Sequence, residues 1–355
     1  MNDQIYPPLV DLTRGELVES VHYGSVVISD PLGNILFHYG DPHRVVYLRS
    51  TAKPLQVLAL LEHGGTEKYG FVLEEIAIMC GSHSGTDRHV KILQKMLVKI
   101  GVQESNLLCG TRPPLDKKTD LQLRCEGKHP SPIRHECSGK HSGMLALSKM
   151  LHEPLDNYLN PNHAAQQLIL RTCAEMLGTS VAKLILGTDG CSAPVFAVQM
   201  QNAAQAYALL CDPQDLPDKR ASACRQVTQA MIKHPFMVAG PHHFDTALIE
   251  TASGKLIAKV GAEGYFGIGI LPDSICDGSP ALGITIKISD GDIKGRAHPV
   301  AAMAILKHLG LLTPEEIEKL SQFDTRPIKN WRQLNIGEIR AADAFIQTLE
   351  CSSIL

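Results

Sequence analysis

The order of strand-like and helix-like patterns along the chain is the strongest constraint on its fold. Apolar residues predict strands near the N-terminus at 21–29 and 35–40, joined by a turn at 30–34 (DPLGN). Helical spacing fills the middle of the chain, at 53–63, 87–100, 138–151, 162–177, 195–209 and 218–233. Strand patterns return at 246–251, 255–260, 264–270 and 282–288, before helices near 296–309 and 313–321. We therefore predict a mixed α/β (α+β) fold. Both ends of the chain form a mainly antiparallel sheet lobe, the middle forms a helical lobe, and a cleft lies where they meet.

Size and charge disfavour a nucleic-acid-binding or membrane protein. The 355 residues are enough for one domain of two lobes with a sizeable core. Basic and acidic residues nearly balance, 34 against 37, so no electrostatic preference for nucleic acid or anionic membranes arises. No stretch approaches the ~20 apolar residues of a membrane span, and the first residues (MNDQI) lack the features of a secretory signal. We expect a single soluble, cytoplasmic domain, 1–355, without nucleic-acid or membrane partners.

The cysteines and histidines are scattered rather than clustered in known metal or disulfide patterns. Ten cysteines are spread over a long chain that lacks a secretory signal, which disfavours a disulfide framework. No Cys-x-x-Cys and no His-Glu-x-x-His occurs, and the 16 histidines are dispersed. Spacing alone therefore predicts neither a structural zinc knuckle nor a multi-histidine metal site.

A Ser-x-x-Lys pattern stands where the first central helix is predicted to begin, at residues 49–54 (RSTAKP). Pro54 has no N–H and fits only the first turn, so the helix begins near Ser50 or Thr51. Ser50 and Lys53 then lie three residues apart on one face. A serine hydroxyl is a poor nucleophile until a base takes its proton, and a lysine one turn later can supply that base. Alone, the pattern also fits a solvated serine beside a surface lysine.

Four further strings combine glycines with reactive side chains. They are 80–85 (CGSHSG), 135–144 (HECSGKHSGM), 187–194 (GTDGCSAP) and 258–264 (AKVGAEG). In the first string, glycines on both sides let backbone N–H groups approach a ligand, and Cys137 and Cys191 in the second and third have surroundings suited to a reactive or metal-bound thiolate. The third string follows a strand-like run, as at a strand-to-helix crossing. Each string alone also fits a polar loop, a helix cap or a strand-end lysine.

Taken together, the strings resemble the serine–lysine, rhizobial-type (class 3) L-asparaginases, also called asparaginase II. The segments that carry the resemblance are 49–54, 80–85, 136–144, 187–191, 237–240 (MVAG) and 259–264. They span most of the chain in the family's order, with Thr51 standing where a small residue is expected. The resemblance implies a fold related to serine β-lactamases and glutaminases, hydrolysis of L-asparagine to L-aspartate and ammonia, and a homodimer.

The same resemblance implies roles for individual residues. Two Ser–Lys pairs would form one catalytic site: Ser50 with Lys53, and Ser82 with Lys259. A metal ion, normally zinc, would be held by Cys137, Lys140 and Cys191. Substrate contacts would come from Arg49, Asp189 and Gly261. Arg49 could bind the substrate α-carboxylate or could equally be a structural ion-pair partner.

The implied chemistry is physically coherent. A serine must attack the carboxamide carbon, ammonia must leave, and water must then hydrolyse the ester. Two converging lysines repel each other as cations, so one can be neutral and accept the serine proton while the other stabilises the oxyanion. A lysine that ligates zinc must also lose its proton, and three protein ligands leave a fourth position open. We expect the metal to orient substrate while a serine does the covalent work.

Alternatives remain open at this point. A glutaminase or broader serine amidase could use the same site, because one methylene changes binding by only about 1–3 kcal/mol. A metal-binding or redox-sensing protein could use Cys137 and Cys191 without hydrolysis, but it would need neither serine–lysine pair. Sequence also leaves open whether Ser50 or Ser82 is acylated.

Overall fold

The computed structural model describes residues 5–354, which divide into two compact units. The first contains the described residues up to Val46, the segment Val198–Asp212 and the residues from Thr251 onward. The second contains Tyr47–Ala197 and Pro213–Glu250. The first unit therefore draws on both ends of the chain, and the second on its middle.

The first unit is built on an eight-stranded sheet in which the paired strands run antiparallel. Its strands are β1 (Pro8–Arg14), β2 (Leu17–Ser29), β3 (Ile35–Tyr39), β7 (Leu256–Gly261), β8 (Tyr265–Ile270), β9 (Leu282–Ile288), β10 (Arg326–Lys329) and β11 (Asn335–Ala341). The order is β10-β11-β1-β2-β9-β8-β7, and β3 pairs with β2. Because β1 pairs with β11, the two ends of the chain meet in one sheet. The prediction of a mixed α/β fold with a mainly antiparallel sheet is confirmed.

Helices cover both faces of this sheet, and β8 is therefore buried along its whole length. The helices of the unit are α8 (Met200–Cys211), α12 (Ala297–His308), α13 (Pro314–Lys319) and α14 (Asp343–Glu350). Gly267 and Gly283 allow α8 to pack closely on the sheet. A Cβ on Gly267 would lie 2.7 Å from the Tyr207 ring. Phe266, which points to the other face, packs against His298 of α12, with ring centroids 5.1 Å apart and ring planes tilted by 37°.

The second unit is mainly helical. Its helices are α1 (Lys53–Glu62), α2 (Gly65–Tyr69), α3 (Leu73–Cys80), α4 (Asp87–Ile100), α5 (Lys117–Cys125), α6 (Ser138–Met150), α7 (Ala164–Met176), α9 (Asp218–Lys233), α10 (Pro235–Val238) and α11 (Phe244–Thr251). A small sheet has the order β4-β6-β5, formed by β4 (Val45–Tyr47), β5 (Ile185–Thr188) and β6 (Pro194–Gln199). Of its residues, Tyr47, Ile185–Thr188 and 194–197 belong to this unit. Helix α1 is buried from Lys53 to Leu61 and packs against α3, α6, α7 and α9, so it forms the centre of this unit.

Three local predictions are wrong. Residues 246–251 lie in α11 rather than in a strand, because the buried residues Phe244, Leu248 and Ile249 have helical spacing. The first residues of the predicted helix 195–209 form the strand β6 instead. Their apolar run is too short for its periodicity to distinguish a strand from a helix. Residues 189–193 turn from β5 into its antiparallel partner β6, so they are a hairpin loop rather than a strand-to-helix crossing.

Candidate active site

Lys53 is buried at the start of α1, with 1% of its surface exposed. Its Nζ lies 2.8 Å from Gly81 O, 2.9 Å from Ser82 Oγ and 3.3 Å from Glu136 O. Among residues 5–354, no hydrogen bond joins this amine to Ser50 Oγ. The hydroxyl that the structure places against Lys53 is therefore that of Ser82.

The loop that carries Ser82 is held by the segment 237–240. The Ser82 N–H donates to Val238 O at 2.7 Å, and Ser84 Oγ donates to Ala239 O at 2.5 Å. A Cβ on Gly81 would lie 2.7 Å from Val238 O, so this close approach requires glycine. Two of the strings that resemble one family therefore pack directly against each other.

Ser50 is half-buried in a 3₁₀ turn, Arg49–Ala52, that leads into α1. Arg49, directly before it, has a left-handed backbone with φ of 49°, which is uncommon outside glycine. Its Nε and Nη2 lie 2.9 and 2.8 Å from Asp189 Oδ1. The structure thus joins Arg49 and Asp189 as an ion pair, which fixes the turn before Ser50 to the β5–β6 loop.

Cys137, Lys140 and Cys191 form one buried cluster, with exposed fractions of 4%, 6% and 2%. Cys137 directly precedes α6, and Lys140 lies in its first turn. Lys140 Nζ donates to Cys191 Sγ at 3.1 Å, and Cys191 Sγ lies 3.9 Å from Asp189 Oδ2. The three residues predicted to hold a metal are therefore brought together, beside Asp189.

The three side chains of this cluster change one another's pKa. The hydrogen bond with Cys191 holds the pKa of Cys137 well below its ordinary value, and the same bond, together with burial, raises the pKa of Cys191. Burial opposes the charge of Lys140, but Cys137, Cys191 and Asp189 outweigh it and raise the pKa of Lys140. Of the two thiols, Cys137 is therefore the one that ionises more readily, beside an amine whose charged form its neighbours favour.

This donor set fits the zinc ion that the resemblance implies. Two thiolates and an amine are zinc ligands once their protons are lost, and binding of a dication would displace those of Lys140 and Cys191. His135, Glu136 and Cys137 offer an alternative group at the same cysteine, with ligand atoms all within 4.8 Å of one another. Both sets include Cys137.

Lys259 and Gly261 belong to the first unit, on β7. Lys259 is fully buried, and its Nζ donates to Val260 O at 2.7 Å. Gly261 is the last residue of β7 and pairs with Tyr265 of β8. The pairing of Ser82 with Lys259 and the contact of Gly261 with substrate stay predictions.

Sequence reasoning assigned no role to several buried polar residues of the second unit. His83 lies 2.8 Å from Ser138 Oγ through its Nε2. His141 Nδ1 lies 2.6 Å from Tyr158 Oη, and among the described residues its buried Nε2 has no hydrogen-bond partner. Both histidines stand inside the glycine-rich strings, but a lone histidine in a sequence does not reveal its partner.

Comparisons with known proteins agree with the family resemblance. The family model described as L-asparaginase II matches residues 10–341, which include all six strings. No curated protein sequence matches the chain. A probable glutaminase from Bacillus subtilis is similar in structure at 11% identity over 81% of this chain and 89% of that one, with a TM-score of 0.39. A β-lactamase from Mycobacterium bovis is similar at 13% identity over 81% of this chain and 95% of that one, with a TM-score of 0.45. No helix among residues 5–354 is long and apolar enough to cross a membrane.

Proposed function

The chain belongs to the L-asparaginase II family, and on this premise we propose that it is an amidohydrolase that converts L-asparagine and water into L-aspartate and ammonia. The observation that carries the proposal is the contact between Lys53 Nζ and Ser82 Oγ at 2.9 Å. It places a buried amine within hydrogen-bond reach of a serine hydroxyl, which is the arrangement that nucleophilic catalysis by serine needs.

The two other contacts of Lys53 orient its amine. A neutral amine has two N–H bonds and one lone pair. If the N–H bonds donate to Gly81 O and Glu136 O, the lone pair is left facing the hydroxyl of Ser82. After proton transfer, the ammonium finds three oxygen acceptors in the same places. The proton can therefore pass from Ser82 to Lys53 and back without rearrangement of the site.

The reaction then has two halves. The serine oxygen attacks the side-chain amide carbon of asparagine, and its proton passes through Lys53 to the leaving nitrogen as the C–N bond breaks and ammonia leaves. Water attacks the resulting ester, and its proton returns to the serine oxygen as aspartate leaves. Ser82 exchanges its proton with Lys53 in either of two roles. It is the nucleophile itself, or it relays the proton from Ser50, which is then the nucleophile. Trapping of the acyl-enzyme, described below, identifies the acylated oxygen.

The other predicted residues complete the proposal. Cys137, Lys140 and Cys191 would hold zinc, which when bound supplies a Lewis acid that orients the substrate. Lys259 would stabilise the oxyanion in its charged form, with the N–H of Gly261. Replacing Cys137 or Cys191 by serine should lower zinc content and raise KM for asparagine; unchanged KM after zinc loss would contradict a role in substrate binding.

The central experiment measures ammonia release from L-asparagine and L-glutamine. We expect turnover of asparagine by the wild type and losses of at least about 10³-fold in kcat/KM for Ser82→Ala and Lys53→Met. Because the two residues act as a unit, the double variant should lose little more than either single one. Ser148→Ala is the matched control: the hydroxyl of this buried serine donates to Met144 O of its own helix, at 2.9 Å.

A second measurement separates the two serines. Acid quenching during turnover, followed by peptide mass analysis, should find an aspartyl ester on Ser50 or Ser82, and the alanine variant of that residue should form none. If the wild type releases ammonia from neither amide, the proposed function is wrong. Preference for glutamine over asparagine would replace the proposal with the glutaminase alternative. We also propose a homodimer, which light scattering tests.

A further inference from the structure

A fully buried histidine next to Ser82 joins the loop after α3 to the start of α6. His83 Nδ1 lies 3.1 Å from Gly85 N, and its Nε2 lies 2.8 Å from Ser138 Oγ. Ser138 Oγ lies 2.8 Å from Ile133 O. Gly85 N–H can only donate and Ile133 O can only accept, so the directions follow. Gly85 N–H donates to Nδ1, Nε2–H donates to Ser138 Oγ, and the serine O–H donates to Ile133 O.

The surroundings keep this imidazole neutral and immobile. Burial, His89 and Lys53 hold the pKa of His83 well below its ordinary value. Its ring stacks on His89 with centroids 5.0 Å apart, and His89 stacks in turn on Phe236 at 4.9 Å. His89 is itself anchored, because its Nε2 lies 3.0 Å from Phe236 O. The His83 ring therefore presents one fixed donor, Nε2–H, to Ser138.

Lys53 links the same two segments. Its amine contacts Ser82 Oγ on the loop and Glu136 O just before α6, at 2.9 and 3.3 Å. The loop and the segment at the start of α6 are thus connected through His83 and Ser138, through the base of the proposed reaction, and through Arg134, whose Nη1 donates to Gly85 O at 2.8 Å. The Arg134 contact lies three residues beyond Ser82, so without the His83 link the amine of Lys53 would be the side-chain contact left next to Ser82.

We propose that His83 is a positioning residue for the proposed hydrolysis. Its bond to Ser138 sets the spacing between the Ser82 loop and α6, so that the hydrogen bonds of Lys53 orient the amine for proton transfer instead of holding the two segments together. The same bond sets the distance from Ser82 to Cys137 and Lys140 in the first turn of α6. This inference rests on the proposed function, and it assigns His83 no contact with substrate.

Ser138→Ala removes the acceptor while leaving His83 in place, and Ser148→Ala is its control on the same helix. We expect Ser138→Ala to lower kcat for asparagine roughly 10- to 100-fold, since misplacement of a catalytic group by about 1 Å can cost 10²-fold. KM should change less than about 3-fold, because the base is displaced and the substrate contacts are not. Ser138→Thr, which keeps the hydroxyl, should recover most of the loss.

His83→Asn keeps an acceptor for Gly85 N–H but cannot reach Ser138, so it should match Ser138→Ala. Combined with Ser138→Ala, it should cost no more than either change alone. Equal kcat for Ser138→Ala and Ser148→Ala would overturn the proposal. So would losses in kcat that are additive in the double variant, because residues joined in one link are not independent.

Nitrogen NMR of the histidine side chains tests the link without any turnover. We expect His83 to be protonated at Nε2 and unprotonated at Nδ1 in the wild type, with the Nε2–H signal shifted in Ser138→Ala. A proton on Nδ1 overturns the proposal even if the enzyme is active. If the wild type releases no ammonia, the proposed function is wrong, and His83 then has no catalytic role to support. If the wild type turns over normally and Ser138→Ala has the same kcat, only the positioning role of His83 is wrong.

Discussion

Replacing Gly139 by alanine should separate α6 from α3 where both lead into the candidate site. A Cβ on Gly139 would lie 2.7 Å from Ile78 C and 3.3 Å from Met79 N, and closer still to Ile78 O. These are backbone atoms, so no side-chain rotation relieves the contact. Ordinary carbon contacts are ~3.5–4.0 Å, so the two helices must move apart by about 1 Å.

Gly143, one turn later on α6, provides a matched control. A Cβ there would lie 3.1 Å from Met79 Sδ, a flexible side chain that can move, and 3.6 Å from Met79 Cγ. Glycine to alanine inside a helix gains about 1 kcal/mol at either position. Only Gly139→Ala adds the cost of overpacking, roughly 1–3 kcal/mol or more. We therefore expect Gly139→Ala to be less stable than Gly143→Ala by about 2 kcal/mol.

The activity difference should be larger than the stability difference. Helix α3 ends at Cys80, two residues before Ser82, and α6 begins with the turn that contains Lys140. A shift of about 1 Å between them should lower kcat/KM roughly 100-fold. Urea unfolding gives the two free energies and ammonia release gives the rates. Equal values for both variants would show that the approach of α6 to α3 at Gly139 does not position the site.

Two further predictions concern single carboxylates. Burial would raise the pKa of Asp292, but its hydrogen bonds with His298 lower it from 3.8 to about 2. Asp292→Asn should therefore lower the free energy of unfolding by about 2 kcal/mol at neutral pH. That stabilisation is complete above the unfolded pKa and is lost as the pH falls through the folded one, so the difference from wild type in urea unfolding should shrink between about pH 4 and 2. Asp189→Asn removes the anion that Arg49 contacts and should cost about 1–2 kcal/mol in the same assay; unchanged stability would show that the ion pair contributes nothing net.

Long periodic segments were predictable, and short apolar ones were not. The helices predicted at 87–100 and 218–233 match α4 and α9, because amphipathic spacing over four turns has no strand interpretation. The strands β10 and β11 were missed, since their alternation is interrupted by a proline and a glycine at 327 and 337. A Cβ on Gly337 would meet the backbone of Thr13, so this glycine serves strand packing, which no local pattern reveals.

The glycines of the motif strings show why the candidate site was only partly predictable. Sequence reasoning took Gly81 and Gly85 as positions where backbone N–H groups approach a ligand. The structure gives Gly81 another use, because it makes room for the carbonyls of Met237 and Val238, and in α6 Gly139 allows close packing on α3. The strings mark places where segments distant in the chain contact each other. Which segment a string contacts cannot be read from the string itself.

The Ser-x-x-Lys spacing identifies a lysine but not its partner. Side chains three residues apart share one face only if both residues belong to a regular α-helix. Here Ser50 lies in a 3₁₀ turn entered through the left-handed Arg49, while Lys53 opens the buried α1 and its amine faces the loop after α3. The contact with Ser82 arises from the packing of α1 against α3, a long-range feature that spacing cannot encode. If the proton moves between Lys53 and Ser82, substitutions that shift α3 should impair catalysis as strongly as substitutions in the turn that holds Ser50.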